Sequence, residues 1–497
     1  MTVGPMIRTL LCCLFLIPSF TRSVRADAFP DSLLARWESY QHRAHAPGVT
    51  VALVRDTGIV ALATLGERDV VRHLPVTVDT RFYIASCTKP FVAAALWTLA
   101  VEGGFALDEP VKRSLPWFAL ATPGATDSLT VRDLLAHRRG LGSPAIGLLS
   151  AYTGQLTAER LRYWLARVTP RGRFAYNNLH YQIAGEVLAA RTGQTWPRAV
   201  ESRVTRPLGM RRAAFTSAQL GSDADVAVPY AWRHERYEPL EPKSDRTLHA
   251  AGGMGASIGD LARWLRAHLA DGMLDGRRAL PADVVRGMRE VAIAAPDRHP
   301  LREGLMRVGW TAGWEVRTYE GDTIFVHTGS YQGAAAHFSY VPSRGVGVAV
   351  LADVNAPPLS ELLAIEAYDY AAGRGSADVS ERLEQVMRRF SSDAESDTLP
   401  TVPVRAAAEY AGRFTDPNWG DVVVAARGRE VTMRLGEYDM PVRWRGADAF
   451  VADGDTPGSF ERDARGHVAA VWLKMTATDS TRFAAGSRGH GAGTVTK

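Results

Sequence analysis

Ser86 and Lys89 have the residue types and the spacing that nucleophilic catalysis requires. Residues three apart lie on one face of a helix, so the lysine amine can reach the serine hydroxyl. A serine hydroxyl is a weak nucleophile until a base takes its proton, and a buried lysine can be that base because desolvation disfavours its charged form. Unpaired N–H groups at a helix start can also stabilise an oxyanion. The pair predicts acyl transfer, with Ser86 as nucleophile and Lys89 as its activator.

The scarcity of lysine gives this pair more weight. Only five of the 58 basic residues are lysines, and arginine can replace lysine in most surface roles but cannot give up its proton. The Ser-x-x-Lys pair occurs once, and it opens the apolar helix predicted through Phe91–Trp97. The alternative is that Ser86 only caps this helix and Lys89 is solvated. The rarity and the position favour chemistry over capping.

Tyr176 and Asn178 form a Tyr-x-Asn pattern that occurs at no other tyrosine of the chain. A phenol close to a lysine ammonium can be held ionised or strongly hydrogen-bonded, and it can pass a proton to a leaving group. An amide side chain can orient the lysine and donate to a substrate carbonyl. The pattern alone is weak evidence, since both residue types are common in turns.

A third cluster, His327-Thr328-Gly329-Ser330, follows the apolar strand predicted over Thr323–Val326. An exposed edge strand beside a catalytic serine can pair with an extended substrate, and glycine permits close approach. Without that context, His327 is interpreted as a packed or surface histidine.

Taken in order, the three motifs resemble those of the serine β-lactamase and penicillin-binding protein superfamily. The similarity is greatest to the class C-like branch, which contains D-stereospecific peptidases, β-lactamases and esterases. It extends over about residues 30–370, and the stretches Leu134–His137, Pro207–Met210 and Ala251–Met254 support it. The resemblance implies an acyl-enzyme mechanism without a cofactor.

The resemblance also implies a role for each site residue. Ser86 is the acylated nucleophile, Lys89 its activator, Tyr176 the general acid/base, and Asn178 an orienting amide; His327, Thr328, Gly329 and Ser330 line the substrate, and the backbone N–H groups of Ser86 and Ser330 form the oxyanion hole. Either Lys89 or Tyr176 can be the acylation base, and the sequence leaves this choice open.

His327 limits the substrates that the resemblance implies. Many lactamases and carboxypeptidases have lysine at this position, whereas histidine is largely neutral near pH 7 and supplies no permanent cation for a substrate carboxylate. The sequence therefore favours D-amino-acid peptides or small carboxylic esters, including cell-wall-derived peptides. The alternatives are a true β-lactamase or D-Ala-D-Ala carboxypeptidase, and a non-catalytic peptidoglycan-binding protein.

The sequence gives less support to two other kinds of site, a second catalytic serine and a metal site. Ser257 lies in a Gly-x-Ser-x-Gly stretch like the nucleophile elbow of α/β-hydrolases, but Ala250–Met254 before it is too glycine-rich for the required strand. We expect Ser257 to cap a helix. No metal site is predicted, because no Asp, Glu or Cys completes a ligand set around His42 and His45.

The predicted fold is α/β (α+β), with an antiparallel sheet flanked by helices and a large helical insertion. A hairpin of Val49–Val54 and Ile59–Thr64, together with strands at Ala334–Val341 and Gly345–Leu351, indicates one sheet built from distant parts of the chain. Short alternating strands after residue 404 predict a small barrel-like module. The predicted divisions are a signal peptide (1–26), a β-lactamase-like serine hydrolase domain (27–390), a linker (391–404), a small all-β, lipocalin-like domain (405–486) and a flexible tail (487–497).

The first 26 residues have the pattern of a signal peptide. Arg8 precedes the apolar run Thr9–Phe20, and Val24–Ala26 offers a cleavage site. The run is too short for a stable membrane span, so the protein is predicted to be periplasmic or secreted. Cleavage removes three arginines and no acids, which lowers the net charge from +5 to +2 and gives no support to a nucleic-acid partner. The expected partner is a small-molecule or peptide substrate, and the oligomeric state is left open.

Overall fold

The computed structural model describes residues 27–221, 224–233, 235–298, 304–375, 383, 385–386, 399–453, 456–475 and 480–485. The predicted signal peptide, most of the predicted linker and the predicted tail lie outside these residues.

The described part of the first domain contains fourteen helices and fifteen strands. The helices are α1 (Asp31–Arg43), α2 (Lys89–Val101), α3 (Val111–Ser114), α4 (Pro123–Ser128), α5 (Val131–Leu135), α6 (Pro144–Leu148), α7 (Ala158–Leu165), α8 (Asn178–Thr192), α9 (Trp196–Val200), α10 (Arg206–Leu208), α11 (Ser217–Gly221), α12 (Ile258–Leu269), α13 (Ala282–Gly287) and α14 (Pro357–Ala371). The strands are β1 (Gly48–Arg55), β2 (Gly58–Asp69), β3 (Leu74–Pro75), β4 (Arg81–Tyr83), β5 (Tyr230–Arg233), β6 (Arg236–Pro239), β7 (Gly255–Ser257), β8 (Met273–Leu274), β9 (Arg277–Arg278), β10 (Ile293–Arg298), β11 (Met306–Trp310), β12 (Glu315–Tyr319), β13 (Asp322–Tyr331), β14 (Ala334–Val341) and β15 (Val346–Ala352).

Nine of these strands form the predicted antiparallel sheet, in the order β10-β11-β12-β13-β14-β15-β1-β2-β3. The first hairpin joins the late strands because β1 pairs with β15, with Val49 opposite Ala352 and Val54 opposite Gly347. The fold class predicted from the two hairpins is therefore confirmed.

Helices cover both faces of the sheet, which explains why its central strands are apolar on both sides. Successive side chains of a strand point to opposite faces. Ala349 and Leu351 of β15 pack in one core with Trp264 of α12, whereas Val348 and Val350 pack in a second core with α1 and α14. This double burial fixes the register of β15, because a shift of one residue would exchange the two faces. Strand β14 lies between β15 and β13, the strand that carries His327.

Strand β13 is longer than the sequence indicates. The predicted end at Val326 is wrong, because β13 continues to Tyr331 through pairing with β14, in which Tyr331 lies opposite Ala334. Thr328, Gly329 and Ser330 have weak strand preferences of their own, and cross-strand pairing overrides them. Pairing with β12 ends at Val326. In the part of the chain that the structure describes, residues 327–331 thus keep one edge without a partner strand, as the edge-strand hypothesis requires.

The predicted long insertion contains α2 to α13. Its first helix is preceded by a 3-10 turn, Ala85–Thr88, so the α-helix begins at Lys89 rather than at Ser86. The insertion is less uniformly helical than expected, because the small hairpins β5–β6 and β8–β9 interrupt it. Across the described residues, no helix is long and apolar enough to cross a membrane.

The C-terminal module is a closed barrel. Its strands are β16 (Gly412–Asp416), β17 (Gly420–Arg427), β18 (Glu430–Leu435), β19 (Tyr438–Trp444), β20 (Ala449–Ala452), β21 (Thr456–Arg462), β22 (Val468–Leu473) and β23 (Thr481–Ala485). The pairing of β16 with β23 closes it. Leu149, which follows α6, belongs to the same apolar core as the barrel, and the Gln155 side chain exchanges two hydrogen bonds with the Asp421 backbone, of 2.8 and 3.2 Å. The barrel is thus packed directly against the first domain.

Candidate active site

Ser86 lies in a tight turn that is fixed on both sides. The preceding Ala85 has φ 45°, a left-handed conformation that costs a residue with a side chain of the order of 1–3 kcal/mol. The Thr88 hydroxyl donates to the Ala85 carbonyl at 2.7 Å and accepts from the Met254 N–H at 3.1 Å. The surrounding structure therefore holds the serine in a conformation that the local sequence does not favour.

The glycine-rich stretch Ala251–Met254 is a strap across this turn. Its Ala251 carbonyl accepts from Lys89 at 2.7 Å, and its Gly252 carbonyl accepts from the Tyr83 hydroxyl. The Ile84 N–H also donates to the Met254 carbonyl at 3.0 Å. The sequence marked this stretch only as a familiar motif and gave no sign that its carbonyl groups contact the candidate base.

Lys89 is fully buried and its amine has three polar neighbours. Nζ lies 2.9 Å from Ser86 Oγ, 2.8 Å from Asn178 Oδ1 and 2.7 Å from the Ala251 carbonyl. Ser86 and Lys89 thus lie within hydrogen-bond distance of each other, and the Asn178 amide oxygen also contacts the lysine amine.

The chemistry of these neighbours determines how the amine is oriented. The Asn178 and Ala251 oxygens can only accept hydrogen bonds, whereas the Ser86 hydroxyl can also donate. Burial lowers the pKa of Lys89 well below its usual value, and the positive charge of Lys243 lowers it further. A neutral amine has two N–H groups, and the two oxygens use both. In that form, the lone pair of the amine can face Ser86 Oγ.

Tyr176 and Asn178 are positioned by the start of α8. Asn177, between them, caps this helix, because its Oδ1 accepts from the Leu179 N–H at 2.8 Å. The cap turns the backbone so that Asn178 reaches Lys89 from the first helical position, while the Tyr176 ring lies 4.9 Å from the lysine Nζ. The Tyr-x-Asn spacing therefore reflects a helix cap with a functional side chain on each side of it.

Aromatic rings surround Tyr176. His137 lies 4.6 Å and Trp310 5.5 Å from its ring, measured between centroids. His137 is buried, and its Nδ1 lies 2.8 Å from Nδ1 of His180. Burial lowers the pKa of both histidines, that of His180 to about 4, so the pair is neutral near pH 7. These rings form a rigid uncharged support for the phenol.

The surroundings of the Tyr176 hydroxyl favour the protonated phenol, although 41% of the residue is exposed. Desolvation raises its pKa well above the usual value, and a hydrogen bond with Ser86 offsets only part of that rise. The raised pKa favours the strongly hydrogen-bonded phenol over a phenolate held by the lysine. A neutral phenol beside Ser86 Oγ can donate a proton but has little capacity to take one near pH 7.

His327 is buried and neutral, in agreement with the absence of a permanent cation inferred from the sequence. Its exposed fraction is 2%, and burial lowers its pKa to about 3. Nδ1 lies 2.8 Å from the Thr328 carbonyl, so it carries the ring proton. Nε2 is buried without a hydrogen-bond partner among the described residues. It presents a lone pair that can accept a hydrogen bond.

Gly329 brings β13 into contact with the Ser86 turn. A Cβ atom at this position would lie 2.2 Å from the Ile84 carbonyl oxygen and 3.0 Å from the Ser86 nitrogen, so only glycine fits. One residue further, Ser330 is exposed, and Thr328 is half-buried. The strand and the turn are also joined by a 3.4 Å contact from Cys87 Sγ to the His327 carbonyl. The predicted residues thus meet in one place, and their roles stay predictions.

Ser257 has the structural role expected from the sequence. It is buried, and its hydroxyl accepts from the Asp260 N–H at 3.2 Å at the start of α12. This is a helix cap.

Comparison with known proteins agrees with this fold. The Beta-lactamase family model matches residues 34–372, which is more than half of the chain. The chain is 26% identical over 421 residues to the unguisins hydrolase ungD' of Aspergillus campestris, covering 77% of this chain and 75% of that protein. The chain therefore belongs to the Beta-lactamase family and is a serine hydrolase.

Two solved structures share the fold. The octameric penicillin-binding protein homologue from Pyrococcus abyssi superposes with a TM-score of 0.61 at 23% identity, covering 89% of this chain and 97% of that one. SurE with D-Leu superposes with a TM-score of 0.53 at 24% identity, covering 89% of this chain and 96% of that one. Both superpositions cover more of this chain than the family model does, and they extend into the region of the barrel.

Replacing Gly329 with alanine should disable the site by displacing β13 from the Ser86 turn. The added methyl group has no space, and overpacking of this kind costs about 1–3 kcal/mol in the free energy of unfolding. A displacement near 1 Å lowers catalysis by about 10²-fold. Both values can be measured by urea unfolding and by the rate of ester hydrolysis. In the control Gly124→Ala nothing lies within 4 Å of the new Cβ, so its rate should be unchanged. Equal rates in the two variants would contradict the proposed contact.

Proposed function

We propose that this serine hydrolase cleaves amides or esters through an acyl-enzyme on Ser86, with Lys89 as the base. The observation that carries the proposal is the arrangement of the Lys89 amine. Two acceptor oxygens, 2.8 and 2.7 Å away, use the N–H groups of the neutral amine and leave its lone pair for Ser86 Oγ at 2.9 Å. Tyr176 is less suited to be the base because desolvation of its hydroxyl raises its pKa and favours the protonated phenol.

The steps balance without a cofactor. Ser86 Oγ attacks the substrate carbonyl carbon while its proton moves to Lys89 Nζ, and the carbonyl oxygen becomes an oxyanion facing the backbone N–H groups of Ser86 and Ser330. The C–N or C–O bond then breaks, and the leaving group receives a proton from the Tyr176 phenol, which regains one from the lysine ammonium. Water attacks the resulting ester, and release of the acid restores the Ser86 hydroxyl.

The neutral His327 favours one kind of substrate group. Its Nε2 is buried without a hydrogen-bond partner among the described residues, and the neutral ring gives a substrate carboxylate no favourable charge contact. This supports peptides, amides and esters over substrates that need a cation at this position. D-amino-acid peptides and small carboxylic esters remain the proposed classes, and a solved structure of SurE, which shares the fold, contains D-Leu.

A fluorophosphonate probe should label wild-type protein on Ser86 and leave Ser86→Ala unlabelled. The reason is that the probe reacts only with an activated hydroxyl, and peptide mapping by mass spectrometry locates the adduct. Ser257→Ala is the matched control, since it removes a buried serine that caps a helix, at a cost of about 1 kcal/mol in stability. It should label like the wild type. Equal labelling of wild type and Ser86→Ala would exclude the acyl-enzyme and favour a binding protein, while rapid turnover of a chromogenic cephalosporin would favour a β-lactamase.

Lys89→Arg should lower kcat/KM for a p-nitrophenyl ester by about 10²–10⁴-fold, because arginine keeps a cation there but cannot take a proton. In the wild type the neutral amine is the active form, so the rate should fall as pH decreases through the lowered pKa of Lys89. Lys474→Arg, at an exposed lysine, is the control and should retain both the rate and the pH profile. A fully active Lys89→Arg would contradict the assignment of the base.

A further inference from the structure

Lys243 is a second buried lysine, and neither the motifs nor the mechanism above use it. Its exposed fraction is 8%. Nζ donates to the Ala151 carbonyl and, at 3.4 Å, to the Thr247 carbonyl. A lysine is rarely buried unless it is paired, so this position in a chain with five lysines calls for a physical explanation.

Three tyrosine rings form a box around this ammonium. Nζ lies 4.0 Å from the ring centroid of Tyr331 and 5.8 Å from those of Tyr83 and Tyr152. Such contacts stabilise a cation through the negative face of each ring. The described contacts of Nζ are thus carbonyl groups and rings, and none of them carries a full negative charge.

The Lys243 box opens onto a cavity of about 330 Å³. Lys243, Tyr83 and Tyr331 contribute to its lining, together with apolar residues such as Leu220, Val228, Pro229 and Leu240. Three more charged residues line it, Arg72, Glu241 and Asp353, and burial raises the pKa of Asp353 well above its usual value. A cavity of this size and composition accommodates a small apolar group, and the lysine supplies one convergent charged group.

This cavity lies next to the candidate active site along β13. Tyr331 is two residues after Gly329 and points to the same face of the strand, about 7 Å further along. Gly329 is the residue that contacts the Ser86 turn, and Tyr83 is three residues before Ser86. The Tyr83 and Tyr331 rings are 5.9 Å apart. A substrate that lies along the free edge of β13 therefore extends from Ser86 towards the box.

The barrel fixes the segment that carries Lys243. Glu437, in the turn between β18 and β19, accepts from the Ser244 hydroxyl and from Arg246 Nε, both at 2.7 Å. The ring of Tyr438, the first residue of β19, lies 5.2 Å from that of Tyr152. The barrel thus braces two sides of the box.

We propose, resting on the function proposed above, that Lys243 and this cavity bind the acyl part of the substrate when that part carries an apolar chain and a carboxylate. The carboxylate pairs with the Lys243 ammonium, and the apolar chain occupies the cavity. Lys243 thereby provides a cation for the substrate carboxylate, which the neutral His327 does not, and it does so at a different position in the site.

The charge of Lys243 makes this binding dependent on pH. Burial lowers the pKa of Lys243 to about 7, and the Glu437 carboxylate opposes that shift. The phenols of Tyr83, Tyr152 and Tyr331 face the amine with raised pKa values and are neutral. The pKa values of Lys89 and His249 are both lowered in part by the charge of Lys243. A bound carboxylate favours the ammonium form, so carboxylate binding takes up a proton above pH 7 and weakens as pH rises.

The test compares two p-nitrophenyl esters of equal chain length, the hexanoate and the adipate monoester, which ends in a carboxylate. In the wild type at pH 6, kcat/KM should be at least tenfold higher for the adipate monoester, and this preference should decline as pH rises through 7. Lys243→Met should abolish the preference, measured as the ratio of kcat/KM for the two esters, whereas Lys474→Met should leave this ratio unchanged.

A second variant tests the same proposal if Lys243→Met does not fold. Glu437→Gln leaves the lysine in place and removes the carboxylate that opposes its lowered pKa, so the preference should be lost at a lower pH than in the wild type. Equal rates for the two esters in the wild type, or a preference that survives in Lys243→Met, would overturn this inference alone. Failure of the wild type to hydrolyse either ester, with Ser86 unlabelled by a fluorophosphonate, would instead overturn the proposed function.

Discussion

The burial of Lys89 among fixed hydrogen-bond acceptors is the constraint on which the rest of the site depends. An exposed lysine is charged near pH 7 and cannot take a proton. Complete burial makes the charged form costly, and Asn178 and the Ala251 carbonyl then determine where the lone pair points. The apolar helix α2, the cap at Asn177 and the strap over the Ser86 turn all contribute to that environment. The same surroundings raise the pKa of the Tyr176 phenol.

The sheet makes this environment accessible to a substrate. Its central strands are buried on both faces, and this burial fixes the register of β14 and β15 beside β13. Pairing with β12 ends at Val326, so the following residues of β13 have a free edge next to Ser86. The barrel adds a second layer of support, because its β18–β19 turn contacts the segments that hold Lys243 and Tyr152.

Sequence reasoning predicted the parts of the site that consist of rare side chains in ordered motifs. Ser86, Lys89, Tyr176, Asn178 and His327 were each recognised by residue type and spacing, and the structure brings them together. The sheet was predicted from its two hairpins, and the barrel from its short alternating strands. These signals are local, so they can be read without knowing which distant segments meet.

Contacts that depend on tertiary packing could not be predicted in the same way. The Ala251 carbonyl beside Lys89 is a backbone group and has no side-chain signature. The extension of β13 to Tyr331 results from pairing with β14, against weak local preferences. Lys243 was visible as one of five lysines, but its box is formed by rings from three separate segments and is braced by the barrel. The predicted signal peptide lies outside the described residues and stays a prediction.

The most direct test of the central claim is the pKa of Lys89, measured by NMR with ¹⁵Nζ-labelled lysine. Only five lysine signals are expected, and Lys89→Arg and Lys243→Met assign the two buried ones. We predict that the Lys89 signal titrates well below the pH at which the exposed lysines titrate. The Lys89 amine is then neutral at the pH of catalysis. A Lys89 signal that titrates together with Lys112 and Lys474 would contradict the account, because a permanently charged amine cannot accept the Ser86 proton.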